Sequence, residues 1–204
     1  MPENMRELGV VKLVQLQPDG LIIKNSSGYF FDVSRRVQVG SLMITSRGIE
    51  ALAPDGGRVL DIHHLDHPGK AYGEDDLVCI GFTSHYKAMR SRFGDHMVDG
   101  SAGENIIIEY EREVWPEDLG KQIAIENRDT GHRALLNMVS IAAPCEEFSR
   151  FAARSQDIPL QADSLKKTLK FLGNGRRGYL LVLSPNQGTV TVRAGDRVFA
   201  LDGG

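Results

Sequence analysis

The chain has 204 residues, 41% of them hydrophobic and 25% charged, with a formal net charge of −3. That length suits one large domain with a sizeable core, and the charge offers no broad basic field for nucleic acid or an anionic membrane, so any anion site must be built locally. No apolar window approaches a membrane span, the start MPENMRELGVVKL lacks the pattern of a secretory signal, and two cysteines are too few to staple a secreted fold, which makes a reducing cytoplasm with free thiols the expected setting.

Short apolar runs bounded by Gly, Asn, Asp and Pro dominate the chain. They predict strands at 10–16, 21–24, 29–33, 42–45, 58–62, 77–81, 106–109, 123–126, 134–142, 179–183, 189–193 and 197–200. PDG at 18–20 and NSSG at 25–28 read as hairpin turns. Three helices interrupt the strands. The first covers 84–93, with Tyr86, Met89 and Phe93 on one face, Thr83 as cap and Gly94 as terminator. The second follows Cys145 and carries Phe148, Phe151 and Ala152 on one face. The third starts at Asp163 or Ser164, points Leu165, Leu169 and Leu172 at the core and Lys166, Lys167 and Lys170 at water, and stops at Gly173. Many evenly spaced strands with few helices predict a mainly β, α+β fold: a closed or half-closed barrel with peripheral helices. No linker appears near residue 50, so 1–204 reads as a single domain, with 1–50 as strands packed on the rest.

Chemistry concentrates at few places. Cys145 follows Pro144 and precedes Glu146 and Glu147. Those acids raise a thiol's pKa, while the free N–H groups of a helix starting there favour the thiolate, the form that attacks or binds a soft metal. A plain strand-ending hydrophobe is the competing reading. Cys79, inside DDLVCIGF, reads as an inert core thiol. GNGRRG at 173–178 joins flexible glycines to Arg176 and Arg177, planar forks suited to phosphate or carboxylate. A helix end with solvated arginines explains the same letters, and the spacing fits no phosphate loop. The run Asp61-Ile-His-His-Leu-Asp-His67 is rich in ligand types, yet on a strand it gives no zinc spacing; it reads as a polar loop beside a pocket, with Lys70 adding charge. In GSAGENIIIE at 100–109, Gly103 permits close backbone approach, Glu104 can serve as general acid or base or pair with arginine, and Asn105 offers donors and an acceptor to a flat polar ligand or caps its own turn.

Four segments, in order, resemble the molybdenum-cofactor sulfurase C-terminal (MOSC) domain. They are Asp76-Leu-Val-Cys-Ile-Gly-Phe-Thr-Ser-His-Tyr-Lys-Ala-Met, then Gly103-Glu-Asn-Ile, then Val139-Ser-Ile-Ala-Ala-Pro-Cys145, then Arg177-Gly-Tyr-Leu-Leu-Val-Leu with Gly195-Asp-Arg-Val. Together they cover roughly 58–201. The resemblance implies a MOSC-like β-barrel with a site around Cys145 as metal ligand of a molybdenum-pterin cofactor. It implies Asn105 and Gly103 against that cofactor, and Arg176, Arg177, Lys70 and His67 as further contacts. The implied activity is reduction of N-hydroxylated small molecules with electrons from a separate donor protein, Cys145 and Glu104 being the catalytic candidates. The rival it allows is a sulfur carrier or cofactor-delivery module using a Cys145 persulfide. The chain departs from the family at His67-Pro-Gly-Lys, where His-Gly-Gly-Pro-Asp is common, and at Gly120-Lys-Gln, where Gly-Asp is common. It contains no pyridoxal-phosphate domain for mobilising sulfur from cysteine.

Overall fold

The computed structural model describes residues 5–26, 28–53, 55–70, 77–156 and 160–201. Seven strands close into a barrel. β1 (Met5–Leu16) pairs with β14 (Arg197–Leu201), which pairs with β10 (Gln122–Glu126); β11 (Arg133–Ile141), β12 (Tyr179–Leu183), β8 (Val78–Phe82) and β9 (Ile106–Glu109) follow, and β9 returns to β1. All neighbours are antiparallel except β8 and β9. Those two are parallel because α1 (Thr83–Phe93) carries the chain back between them, as a parallel pair requires. Closure leaves seven strands without a free edge.

Around the barrel lie β4 (Val37–Val39), paired to the far end of β1, and a sheet ordered β13 (Val190–Arg193), β5 (Ser41–Thr45), β6 (Gly48–Leu52), β7 (Arg58–Leu60). A hairpin of β2 (Ile22–Asn25) and β3 (Gly28–Phe31) stands apart. The remaining helices are α2 (Pro116–Leu119), α3 (Glu146–Ala152) and α4 (Ala162–Leu172). Among the described residues no helix is long and apolar enough to cross a membrane.

The expected mainly β barrel with peripheral helices is what the chain forms. The strand positions agree closely with the sequence reading, because period-two alternation marks staves such as β12, where Tyr179, Leu181 and Leu183 are buried. Several expectations need correction. Residues 5–16 are not strands packed on a barrel but a stave of it, hydrogen-bonded on both sides. PDG at 18–20 joins β1 to β2, which do not pair, so it is no hairpin turn; the 25–28 turn does join a hairpin, although Ser27 lies outside the described residues. β4, β6 and α2 were not foreseen. Thr83 does not cap α1: its Oγ1 donates to the Tyr110 carbonyl and accepts from the Tyr110 N–H. Gly94, at φ 104°, does end that helix.

Two large apolar cores form among the described residues, beside a small cluster of Ala124, Phe199 and Leu201. One fills the barrel, with Val11, Ile80, Ile106, Leu136 and Leu181 among its residues. The other sits outside it, between β9, α1, α3 and the β2–β3 hairpin, and includes Ile107, Tyr86, Met89, Phe148, Phe31 and Leu172. Phe31 and Phe148 meet with ring centroids 5.1 Å apart. A side chain as fully buried as Phe148 stabilises the fold by about 1.5–3 kcal/mol. This second core holds the start of α3, and with it Cys145, against the barrel wall.

Candidate functional site

β11 ends at Ile141, and Ala142-Ala-Pro leads into α3 with Cys145 as its N-cap. The Cys145 Sγ accepts from the Phe148 N–H at 3.3 Å. The thiol lines a cavity of about 170 Å³ together with Arg177, His63, Gln17, Phe31 and Ala143. A second cavity, of about 370 Å³, shares Gln17, His63, Ala143 and Arg177 and adds Cys79 and Gly103. Both thiols are free.

Arg177 is the centre of this arrangement. Its Nε is buried and has no hydrogen-bond partner, and among the described residues no carboxylate lies within ion-pair distance. Its guanidinium carbon is 5.5 Å from the Phe148 ring centroid. Burial works against its charge, but Cys79, Glu104, Cys145 and Tyr86 surround it and hold its pKa above the ordinary value. A charged fork with an unpaired N–H at a cavity wall is a strong receptor for an anion. Gly178 allows the approach: at φ 118°, a Cβ there would stand 2.7 Å from the Ile80 carbonyl oxygen, 3.1 Å from Glu104 and 3.2 Å from the Cys79 sulfur.

Glu104 is sealed at 0% exposure. Tyr86 Oη lies 2.7 and 2.9 Å from its two carboxyl oxygens and also accepts from the Ala102 N–H at 2.9 Å. Burial pushes the Glu104 carboxyl up, with the Arg177 charge opposing. Neither cavity reaches Glu104. A direct acid or base role therefore lacks geometry; Glu104 instead acts on Arg177 as a buried countercharge. Tyr86→Phe is expected to lower stability by roughly 1–3 kcal/mol, since it leaves a buried carboxyl without its bond; chemical denaturation measures this.

Asn105 is likewise turned inward. Its Oδ1 accepts from the Cys79 N–H at 2.9 Å and its Nδ2 donates to Asp61 Oδ2 at 2.9 Å. The amide expected to face a ligand is consumed in tying β8 to the 61–63 turn. Gly103 does line the larger cavity, and its carbonyl accepts from Gln17 Nε2 at 2.7 Å. Arg176 points elsewhere: it forks onto Glu113 at 2.7 and 3.3 Å, donates to the Phe171 carbonyl, and lies over Trp115 and Phe171. His67 donates from Nε2 to the Pro18 carbonyl and accepts from the Gly69 N–H, and Lys70 donates to the His63 carbonyl at 2.9 Å. These two brace the loop rather than line either cavity. Residues 71–75 of the loop that departs from the family pattern lie outside the described residues.

Some site residues escaped the sequence reading. Residues 61–66 form turns, not a strand, because Asp61 Oδ1 accepts from the His63 N–H at 3.0 Å and from His63 Nδ1 at 2.7 Å. Asp61 Oδ2 also accepts from the Gln17 N–H at 2.8 Å. This fully bonded carboxylate fixes His63 at the rim of both cavities. The i, i+2 Asp-His pairing was the available signal; Gln17, between Leu16 and Pro18, gave none. Among the described residues no set of three His, Cys, Asp or Glu side chains can hold a bare metal ion.

The two thiols differ. Burial pushes Cys79 up to about 12, with Arg177 opposing. Burial also raises Cys145, while the Phe148 N–H and Arg177 pull it down and Glu147 pushes it up. Cys79, expected inert, faces a cavity but is held protonated by its burial. Iodoacetamide at pH 8 should therefore alkylate Cys145 well before Cys79, as peptide mass mapping would read.

No protein-family model matches the chain, and no curated protein matches it. Among solved structures it is similar to the YuaD protein of Bacillus subtilis, at 14% identity and TM-score 0.52 over 93% of this chain and 97% of that one. It is also similar to a structure described as a hypothetical protein, at 16% identity and TM-score 0.55 over 97% of this chain and 69% of that one. YiiM from Escherichia coli aligns at 19% identity and TM-score 0.48 over 82% and 65%. The first two likenesses concern the fold alone, and the third adds nothing to them.

Proposed function

We propose that the chain is a MOSC-type oxidoreductase that binds a molybdenum-pterin cofactor at Cys145 and reduces N-hydroxylated small molecules. One observation carries the reading: a soft sulfur and a guanidinium with no ion-pair partner among the described residues line the same cavity. The residues fit such a group. Cys145 provides the single soft donor needed by a metal that brings its other ligands with it. Arg177 receives an anionic group of the cofactor or substrate, and Gln17 and the backbone at Gly103 and 140–143 line the space beside it. When bound, the cofactor supplies two-electron redox chemistry, with electrons from a separate donor protein. Reduction of a hydroxylamine to an amine takes up two electrons and two protons and releases water. His63, held on Asp61, is placed to deliver a proton at the cavity rim. Cys145 must lose its proton to ligate, so cofactor affinity rises with pH up to its raised pKa.

The test is to purify the protein from a host that makes the cofactor, measure molybdenum and released pterin, and assay N-reduction. Protein free of both, with unimpaired reduction, ends the proposal. The position of Cys145 at a helix start, accepting an N–H, also suits a sulfur carrier with a Cys145 persulfide. A reductant-sensitive mass gain of one sulfur atom on Cys145, without molybdenum, selects that second reading.

A further inference from the structure

A separate cavity of about 670 Å³ lies beside β1, with neither thiol in its lining, and is lined by Lys12, Gln15, Arg36, Gln38, Arg90 and Asp99 among others. Three cations from three parts of the chain meet there with one carboxylate. Asp99 holds two of them: Lys12 Nζ donates to Oδ2 at 2.8 Å and Arg90 Nη1 to Oδ1 at 2.8 Å. Its carboxylate is only 13% exposed. Burial works to raise the Asp99 carboxyl, but the bonds from Lys12 and Arg90 outweigh it and hold it below the ordinary range. The third cation, Arg36, has no carboxylate within ion-pair distance among the described residues. It is held by neutral acceptors alone: Nε donates to the Val33 carbonyl at 2.9 Å, and Nη1 to Gln15 Oε1 at 3.2 Å and the Asp99 carbonyl at 3.4 Å.

The local balance is thus two positive charges in excess, in a chain whose net charge is −3. The arginines are fixed in place by these bonds, yet Arg36 Nη2, and Nε and Nη2 of Arg90, keep N–H groups that no acceptor among the described residues takes. Prearranged guanidinium forks beside a flexible ammonium suit a tetrahedral oxyanion of two charges. Fixing the cations beforehand also removes part of the ordering cost of binding.

We infer that this cavity is a phosphate-binding site, specific for a phosphate monoester or pyrophosphate group and independent of the Cys145 pocket. Arg36 and Arg90 grip the oxygens, Lys12 adds charge, and Asp99 keeps the last two apart. Inorganic phosphate and pyrophosphate titrated into the full chain by calorimetry, at constant ionic strength against chloride, test it. Saturable binding is expected, weakened at least tenfold in Arg36→Gln and in Lys12→Gln. Lys12 is half exposed, so its variant keeps the test valid if Arg36→Gln fails to fold. Phosphatidylcholine vesicles with and without phosphatidic acid separate the sources: co-sedimentation only with phosphatidic acid assigns a lipid headgroup, and binding of free phosphate alone assigns a soluble ester. Absence of saturable binding to phosphate, pyrophosphate and phosphatidic acid, or binding that survives in both variants, overturns the inference.

Discussion

Arg177→Met weakens anion retention in the Cys145 pocket by roughly 10- to 100-fold, the equivalent of losing one charge-assisted hydrogen bond. Methionine keeps the stem but neither charge nor N–H. The expected readout is loss of pterin from protein purified in a cofactor-making host. The same change has a signature in stability. It takes from Glu104 a countercharge that opposes the effect of burial, so the Glu104 pKa climbs further above its ordinary 4.5. The sign follows from linkage. For an acid whose folded pKa is raised, the unfolded chain ionises first as pH rises. The stabilising contribution is complete below about 4.5 and drains away as pH approaches the raised folded value. Arg177→Met should therefore lose stability more steeply than the parent chain above that pH, in denaturant titrations across a pH series. In Glu104→Gln this pH-dependent component is absent. Equal slopes in the parent and Arg177→Met would show that Arg177 and Glu104 are not coupled.

Cys145→Ser and Cys145→Ala separate two roles of one residue. The thiol caps α3 through the Phe148 N–H and is the proposed donor. Serine preserves the cap, whereas alanine removes it at a cost of about 0.5–2 kcal/mol. Both remove the sulfur. N-reduction should fall at least roughly 100-fold in both, beyond the 10- to 100-fold typical of losing a group that merely supports a ligand. Only the alanine variant should also show reduced thermal stability. Retained activity in Cys145→Ser would displace sulfur from the mechanism and leave Cys145 a structural cap. A Cys79→Ala control tests the neighbouring thiol, whose pKa near 12 argues against a thiolate role.

Much of the architecture was written locally. β9 and β12 stand at the predicted residues because β-branched and leucine-rich runs bounded by Gly admit little but a strand. α1 and α4 follow from three-and-four spacing and from Gly94 and Gly173 just past their ends. β4 and β6 were hidden. VQV has three residues, and GIEAL places Glu50 in the interior, where Arg58 of β7 pairs with it. A charge that is buried only because a partner strand answers it looks like a loop residue in one dimension.

The sequence by itself determined a mainly β chain with few helices, a cysteine delivered at a strand-to-helix junction, and a basic turn at 173–178. Only the tertiary structure decided which of two adjacent arginines faces the cavity. Arg176 and Arg177 are identical in type and neighbours in sequence, so the surroundings alone distinguish them: Glu113 and two aromatic rings capture the first, whereas the second keeps a buried Nε with no hydrogen-bond partner among the described residues. The same holds for Asn105, whose amide finds Asp61 and the Cys79 N–H before any ligand. Strand pairing brings residues 17, 61–63, 79, 103, 145 and 177 to one place. Such contacts depend on barrel closure, a long-range condition that no local pattern encodes.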